Sequence, residues 1–193
     1  MAGPSPSSLR QIRASQLKAS VRAFEELGAA AARTLHERLR PLVAQVDETI
    51  GVTWLPLGLD IELSGTLAEV AGISGLRRVA RGSVERSAEG PLLGPFRRAL
   101  LSLGLTPNRA LSRAPYAWPH LYRRCGAIRV DESGPGRASM THLDVPEEMR
   151  APTSYLDGIA GGFEGVIAVG GGKDPHVEVV RDGRDVRYLC SWS

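Results

Sequence analysis

Lysine is almost missing from this chain. Lys18 and Lys173 are its only two, and the other basic residues among 24 cationic side chains are arginine. The bias points to a GC-rich coding sequence and carries no mechanism. Cysteine is equally scarce. Cys125 and Cys190 are too few for the disulfide framework of a small secreted domain, and we expect both as small buried hydrophobes. Together with His36, His120, His142 and His176 they show no metal spacing. The sequence has no C-x-x-C, no H-x-x-x-H and no H-E-x-x-H. No apolar leader segment follows the first residues. No run approaches the roughly 20 apolar residues that span a bilayer. These absences predict a cytoplasmic protein with no metal and no cofactor.

What remains is ordinary globular material. The chain has 193 residues, 42% hydrophobic and 23% charged. A chain of that length favours one domain and can remove roughly 70% of its unfolded surface from water. It therefore needs neither metal nor disulfide to fold. The net charge of +3 is mild and is not by itself a nucleic-acid signature.

Residues 1–7 are rich in Pro and Ser and are expected to lack fixed structure. Ser7 or Ser8 is placed to cap a first helix. In it Leu17, Val21, Phe24 and Leu27 recur at helical spacing. A second stripe follows with Leu35, Leu39, Leu42, Val46 and Ile50, where Pro41 splits or kinks the helix. "WLPLGL" interrupts this pattern. Helices are predicted over about 57–71, 74–87 and 91–103. Over 107–125 an apolar face carries Leu111, Ala114, Trp118, Leu121, Tyr122 and Cys125. Pro115 and Pro119 argue against one uninterrupted helix there.

After Gly126 the period changes. "AIRVDE" and "RASMTHLDV" flank "SGPG" and read as a β-hairpin. Pro146 with Glu147 and Glu148 opens a helical stretch, in which Tyr155, Ile159, Phe163 and Val166 share a face. The chain closes on a second hairpin. Asp182-Gly183 marks its turn, and Val186, Tyr188, Cys190 and Trp192 fall on one face. The expected fold is α+β. An N-terminal helical bundle precedes hairpin–helix–hairpin, and the hairpins form a four-stranded, mostly antiparallel sheet.

The stretch "VIAVGGGKDPHVEVV" poses a phosphate-loop question. A P-loop requires G-x-x-x-x-G-K-[ST] between a strand and a helix. Here Ile167 stands at the first glycine position, Asp174 follows Lys173, and a helix precedes a strand. Gly170–Gly172 are therefore read as a helix terminus, and Gly158, Gly161, Gly162 and Gly165 as permitting close helix packing. Ser139, His142 and Asp144 lack a nucleophile elbow and are expected as polar residues on the wet face of a hairpin. Arg77-Arg78, Arg97-Arg98 and Arg123-Arg124, with Arg10, Arg13 and Arg22, are interleaved with Glu25, Glu26, Glu85 and Glu89. That mixture predicts a solvated, ion-paired surface, with nucleic-acid contact as the alternative.

The aromatic residues carry the positive expectation. Trp54, Trp118, Tyr122, Tyr155, Phe163 and Trp192 are candidates to wall a ligand pocket between helices and sheet. The order of marks also looks familiar. "WLP" precedes a helical block, then come Gly104 with Pro107, Trp118 with Tyr122 and Gly126, the helix around Gly158 and Gly162, and a hairpin ending at Trp192. Over about 54–192 this resembles a family of myxobacterial proteins of about this length. The element order is similar to a wider fold shared by haem nitric-oxide-binding domains, 4-vinyl-reductase-type domains and TRAPP-type tethering subunits. That resemblance implies sensing or scaffolding rather than turnover. The haem-binding branch uses Tyr-x-Ser-x-Arg and a helical histidine, and no such motif stands here. The vinyl-reductase branch carries several cysteines near its C-terminus, of which only Cys190 remains. Neither haem nor metal therefore transfers to any residue. The expected protein is a non-enzymatic regulatory or scaffolding module that binds a protein partner or a small apolar ligand. Residues 8–50 would form a helical arm suited to homodimerisation, and 51–193 the α+β binding domain.

Overall fold

The computed structural model describes residues 9–89, 104 and 106–193. The expectations for 1–7, for a Ser7 or Ser8 cap and for a helix over 91–103 lie outside the described residues.

The chain enters as a strand. Gln11–Arg13 (β1) pairs antiparallel with Trp54–Pro56 (β2) and with Tyr122–Arg123 (β3), in the order β2-β1-β3. This small sheet corrects the reading of a helix straight from the N-terminus. Strands of two or three residues show no alternation long enough to read. Ala14–Arg22 (α1) follows, then a 3₁₀ turn over Ala23–Leu27. Ala29–Arg38 (α2) and Arg40–Glu48 (α3) are separated at Leu39, and Pro41 sits in the first turn of α3, where its missing N–H removes no helical bond.

The apolar stripe of this region turns inward on its own chain. Leu17, Phe24, Leu35, Leu42 and Val46 are buried in one cluster with Leu63, Leu67, Leu76 and Val79. Ile50, counted with that stripe, is 72% exposed. Those partners belong to Leu57–Glu89 (α4), which is broken at Gly72 with φ 69 and ψ 178. Only a residue without a Cβ adopts that conformation freely, so two expected helices run on as one broken rod.

Pro107–Leu111 (α5) and Ala114–Leu121 (α6) replace one long helix, with Pro115 near the start of α6 and Pro119 inside it. Tyr122 therefore lies in a strand, one residue past the helix it was counted with. Ala127–Gly134 (β4) and Arg137–Leu143 (β5) form the first hairpin, with a bulge between Val130 and Glu132. Glu147–Arg150 (α7) and Thr153–Val169 (α8) are separate helices, because Pro152 between them cannot donate. His176–Asp182 (β6) and Asp185–Ser191 (β7) complete an antiparallel sheet of order β4-β5-β7-β6. Asp182 pairs with Asp185, so the two-residue turn is Gly183-Arg184, one residue later than read from sequence.

The sheet packs through Met140, Val177, Val186, Tyr188 and Cys190 against Tyr155, Leu156, Ala160, Phe163 and Ile167 of α8. On its other side α8 meets α4 at close range. A Cβ on Gly161 would lie 2.6 Å from the Arg77 carbonyl oxygen, and one on Gly165 2.8 Å from that of Arg81. Arg77 ties the layers together. Its guanidinium donates to Asp157 (3.1 Å from Nε), to Glu164 (3.0 Å) and to the Val177 carbonyl (2.8 Å). The glycine run ends α8 as expected. Gly171 takes φ 88, and the Gly172 N–H returns to the Ile167 carbonyl at 3.0 Å.

Candidate ligand cavity

Helix α4 begins "LGLDIELSGTL", which puts Asp60, Leu63, Ser64 and Leu67 on one inward face at helical spacing. Across from it, α8 presents Tyr155, Ile159 and Phe163 but no Cβ at Gly158 or Gly162. Helix α6 supplies Ala114 and Trp118, and α1 supplies Gln16 and Ser20. These side chains line a cavity of about 140 Å³. Gly162 helps to keep it open, since an added Cβ there would meet nothing within 4 Å.

One end of the cavity is polar. Asp60 is 6% exposed. Its Oδ2 accepts a hydrogen bond from the Tyr155 hydroxyl at 2.5 Å and a longer one from Tyr122 at 3.4 Å. No donor among the described residues reaches Oδ1. Burial pushes the Asp60 carboxyl up to about 6, and the two hydroxyls pull it down only in part. The Tyr122 and Tyr155 phenols are raised well above their ordinary value, first by burial and then by the Asp60 charge. They are neutral donors at any physiological pH.

The wall beside this end is aromatic. Trp118 stacks on Tyr122 with centroids 4.3 Å apart and meets His142 edge-on at 4.7 Å. The buried Trp118 Nε1 has no partner among the described residues. On its far side the Trp118–Tyr122 pair borders an open groove with Gln11, Pro115, Arg123 and Arg124. His142 does not sit on a wet hairpin face. It is fully buried, and its Nε2 is 2.6 Å from the Cys125 carbonyl oxygen. That oxygen can only accept, so Nε2 is assigned the proton. Burial lowers the His142 pKa, which keeps the ring neutral behind Trp118. The strand period puts Ser139 on the opposite face of β5 from His142, so no Ser-His-Asp relay forms. Cys125 and Cys190 are free and buried, and burial pushes both thiols up to about 12.

Of the aromatic candidates, Trp118, Tyr122, Tyr155 and Phe163 meet around this cavity. The other two lie elsewhere. Trp54 sits on the small sheet with the guanidinium carbons of Arg13 and Arg123 at 3.9 and 4.0 Å from its ring centroid. Trp192 follows β7 and packs against the sheet core, beside Gly172. Asp60 is not among the residues that the sequence marks as a candidate. The available signal was an acidic residue in register with the apolar stripe of Leu57, Leu63 and Leu67. Some arginines are paired, Arg10 with Glu148, Arg81 with Glu85, Arg86 with Glu25 and Glu26, whereas Arg13, Arg22, Arg78, Arg123 and Arg124 have no carboxylate partner among the described residues.

No protein-family profile matches the chain, and no curated protein matches it. Solved structures do. The Fe(II) unliganded H-NOX protein from K. algicida aligns over 94% of this chain and 97% of its own at a TM-score of 0.58, with 10% identity. A variant of Tt H-NOX aligns over 94% and 95% at 0.60 with 12% identity. A variant of Cs H-NOX gives 0.60 over 94% and 97%, also at 12%. The chain therefore has an H-NOX-like α+β fold. Other structures of that fold are described by their haem distortion and haem redox potential.

The cavity here does not fit haem. Its volume of about 140 Å³ is below the roughly 300 Å³ at which drug-sized pockets begin. Among the described residues its lining contains no His, Cys or Met to ligate iron, and no Arg or Lys to meet the propionates. Its two tyrosines are held protonated, the wrong state for phenolate ligation. Among the described residues no three His, Cys, Asp or Glu side chains cluster to hold a metal ion.

Proposed function

We propose that this protein is a non-enzymatic regulatory module that takes a small apolar molecule into the cavity between α1, α4, α6 and α8. The observation that carries this reading is the cavity itself, a mainly apolar space with aromatic walls and a buried carboxylate in its lining. Well-packed interiors hold few voids larger than a water molecule. An apolar cavity of about 150 Å³ stays dry and takes up benzene-sized molecules. The absence of turnover is supported by the chemistry of the nucleophiles. Both thiols are pushed up to about 12, and His142 is buried with one nitrogen committed to a carbonyl.

The test is ligand-induced thermal stabilisation with small apolar probes such as toluene and benzyl alcohol, on the wild type and on Gly162→Leu. Saturable stabilisation is expected in the wild type. It should vanish in the variant, whose side chain fills the space that Gly162 leaves open. Absence of binding to the wild type, or equal binding to both, rejects the cavity as the site.

A further inference from the structure

We propose that the cavity selects a compact apolar amine, bound as its ammonium ion with Asp60 as counter-ion and the aromatic wall around its body. This rests on the cavity reading above and adds the chemical class of the ligand.

The first argument is the unfinished hydrogen bonding of Asp60. A buried carboxylate is ordinarily paired with a cation or saturated with donors. Asp60 has neither. Both of its donors, the hydroxyls of Tyr155 and Tyr122, go to Oδ2. Oδ1 is left without a donor among the described residues, on a side chain that lines the cavity. Among the described residues the cavity lining includes no Arg, Lys or His. Its titratable side chains among the described residues are Asp60, Tyr122 and Tyr155, none of which supplies a counter-charge, whereas a cationic ligand would. An ammonium group supplies both the charge and the missing donor, and a charge-assisted bond is roughly twice as strong as a neutral one.

The second argument is the rest of the wall. Leu63, Leu67, Leu76, Ile159 and Val166 suit a hydrocarbon body. Trp118, Tyr122 and Tyr155 bring ring electrons next to the polar end, and a cation gains from such rings where a neutral group does not. An anion is rejected by Asp60. The third argument is size. About 140 Å³ admits a single six-membered ring with a short polar arm, by comparison with the benzene-sized cavity of about 150 Å³. Burial, which raises the Asp60 carboxyl to about 6, agrees with this geometry, because a bound cation would relieve that cost.

The experiment uses the full chain and four probes of matched shape: benzylamine, benzyl alcohol, toluene and benzoate. Affinities are read by calorimetric or NMR titration at a pH of about 7.5. Benzylamine is expected to bind at least tenfold more tightly than benzyl alcohol, and benzoate not at all. In Asp60→Asn the amine should lose at least tenfold while toluene changes less than about threefold. The unaltered protein gives a second test. Lowering the pH to about 5 protonates most of Asp60 and should cut the amine's advantage about tenfold, since one pKa unit corresponds to a factor of ten. Equal affinity for amine and alcohol in the wild type, or an amine preference that survives both Asp60→Asn and acid, overturns the amine assignment. If toluene and benzyl alcohol still bind in that case, the cavity reading stands alone. If no probe binds, both readings fall together.

Discussion

Asp60 illustrates what one buried carboxyl does to the balance of the whole chain. Its folded pKa of about 6 lies above the ordinary 3.8, so the folded state holds this proton more tightly than the unfolded state does. The associated stability is fully present below about pH 4 and is lost as the pH rises through 6. Asp60→Asn should therefore stabilise the protein above pH 6 by on the order of 3 kcal/mol, with the gain shrinking to nothing near pH 4. Thermal unfolding of the two proteins across that range reads it directly. His142, whose pKa burial lowers, acts with the opposite sign in acid, but it is common to both proteins and cancels in the difference. A gain that is flat with pH would mean that Asp60 is not desolvated. At this scale the sequence was only partly legible. Asp60 stood in plain view within an apolar helical stripe, but a single acid on a helix reads as surface until the opposing helix is in place.

The pairing of α4 with α8 makes two neighbouring glycines behave in opposite ways. A methyl group on Gly161 would press into the Arg77 backbone at 2.6 Å, while one on Gly162 would enter open cavity. Gly161→Ala should cost about 1–3 kcal/mol through overpacking. Gly162→Ala should gain about 0.5–1 kcal/mol from helix propensity and a less flexible unfolded chain. Denaturant unfolding of the pair checks both signs, and a common sign would show that the α4–α8 contact is misplaced. Periodicity made most elements readable: the helical stripes, the switch to alternation after Gly126, and the apolar face of Val186, Tyr188 and Cys190. It failed for β1, β2 and β3, whose pairing depends on residues more than 40 apart in sequence. It also placed Tyr122 on a helix because apolar spacing continues smoothly past Leu121.

For the molecule as a whole, the H-NOX-like fold and the contents of its cavity point in different directions. Ferric haem added to the purified chain should produce no saturable Soret band at one equivalent, because among the described residues the cavity offers neither an iron ligand nor enough volume. A stoichiometric band, absent in Gly162→Leu, would show that the helices part far enough to admit a porphyrin. The overall class, helices followed by hairpin–helix–hairpin, was legible in the order of elements. The cavity was legible only as a set of aromatic residues. Trp118, Tyr122, Tyr155 and Phe163 converge on it, whereas Trp54 is drawn to two arginines and Trp192 to the sheet. Side-chain type alone does not separate these destinations.

The small three-stranded sheet has a consequence for traffic. Tyr122 belongs at once to the cavity wall and to β3, where it pairs with Ile12 of β1. Swinging the Trp118–Tyr122 wall toward the outer groove therefore means peeling a two-residue strand from the N-terminal strand. Passage on that side would be timed by how often that short zip opens, so residues far from the cavity in sequence would act as its latch.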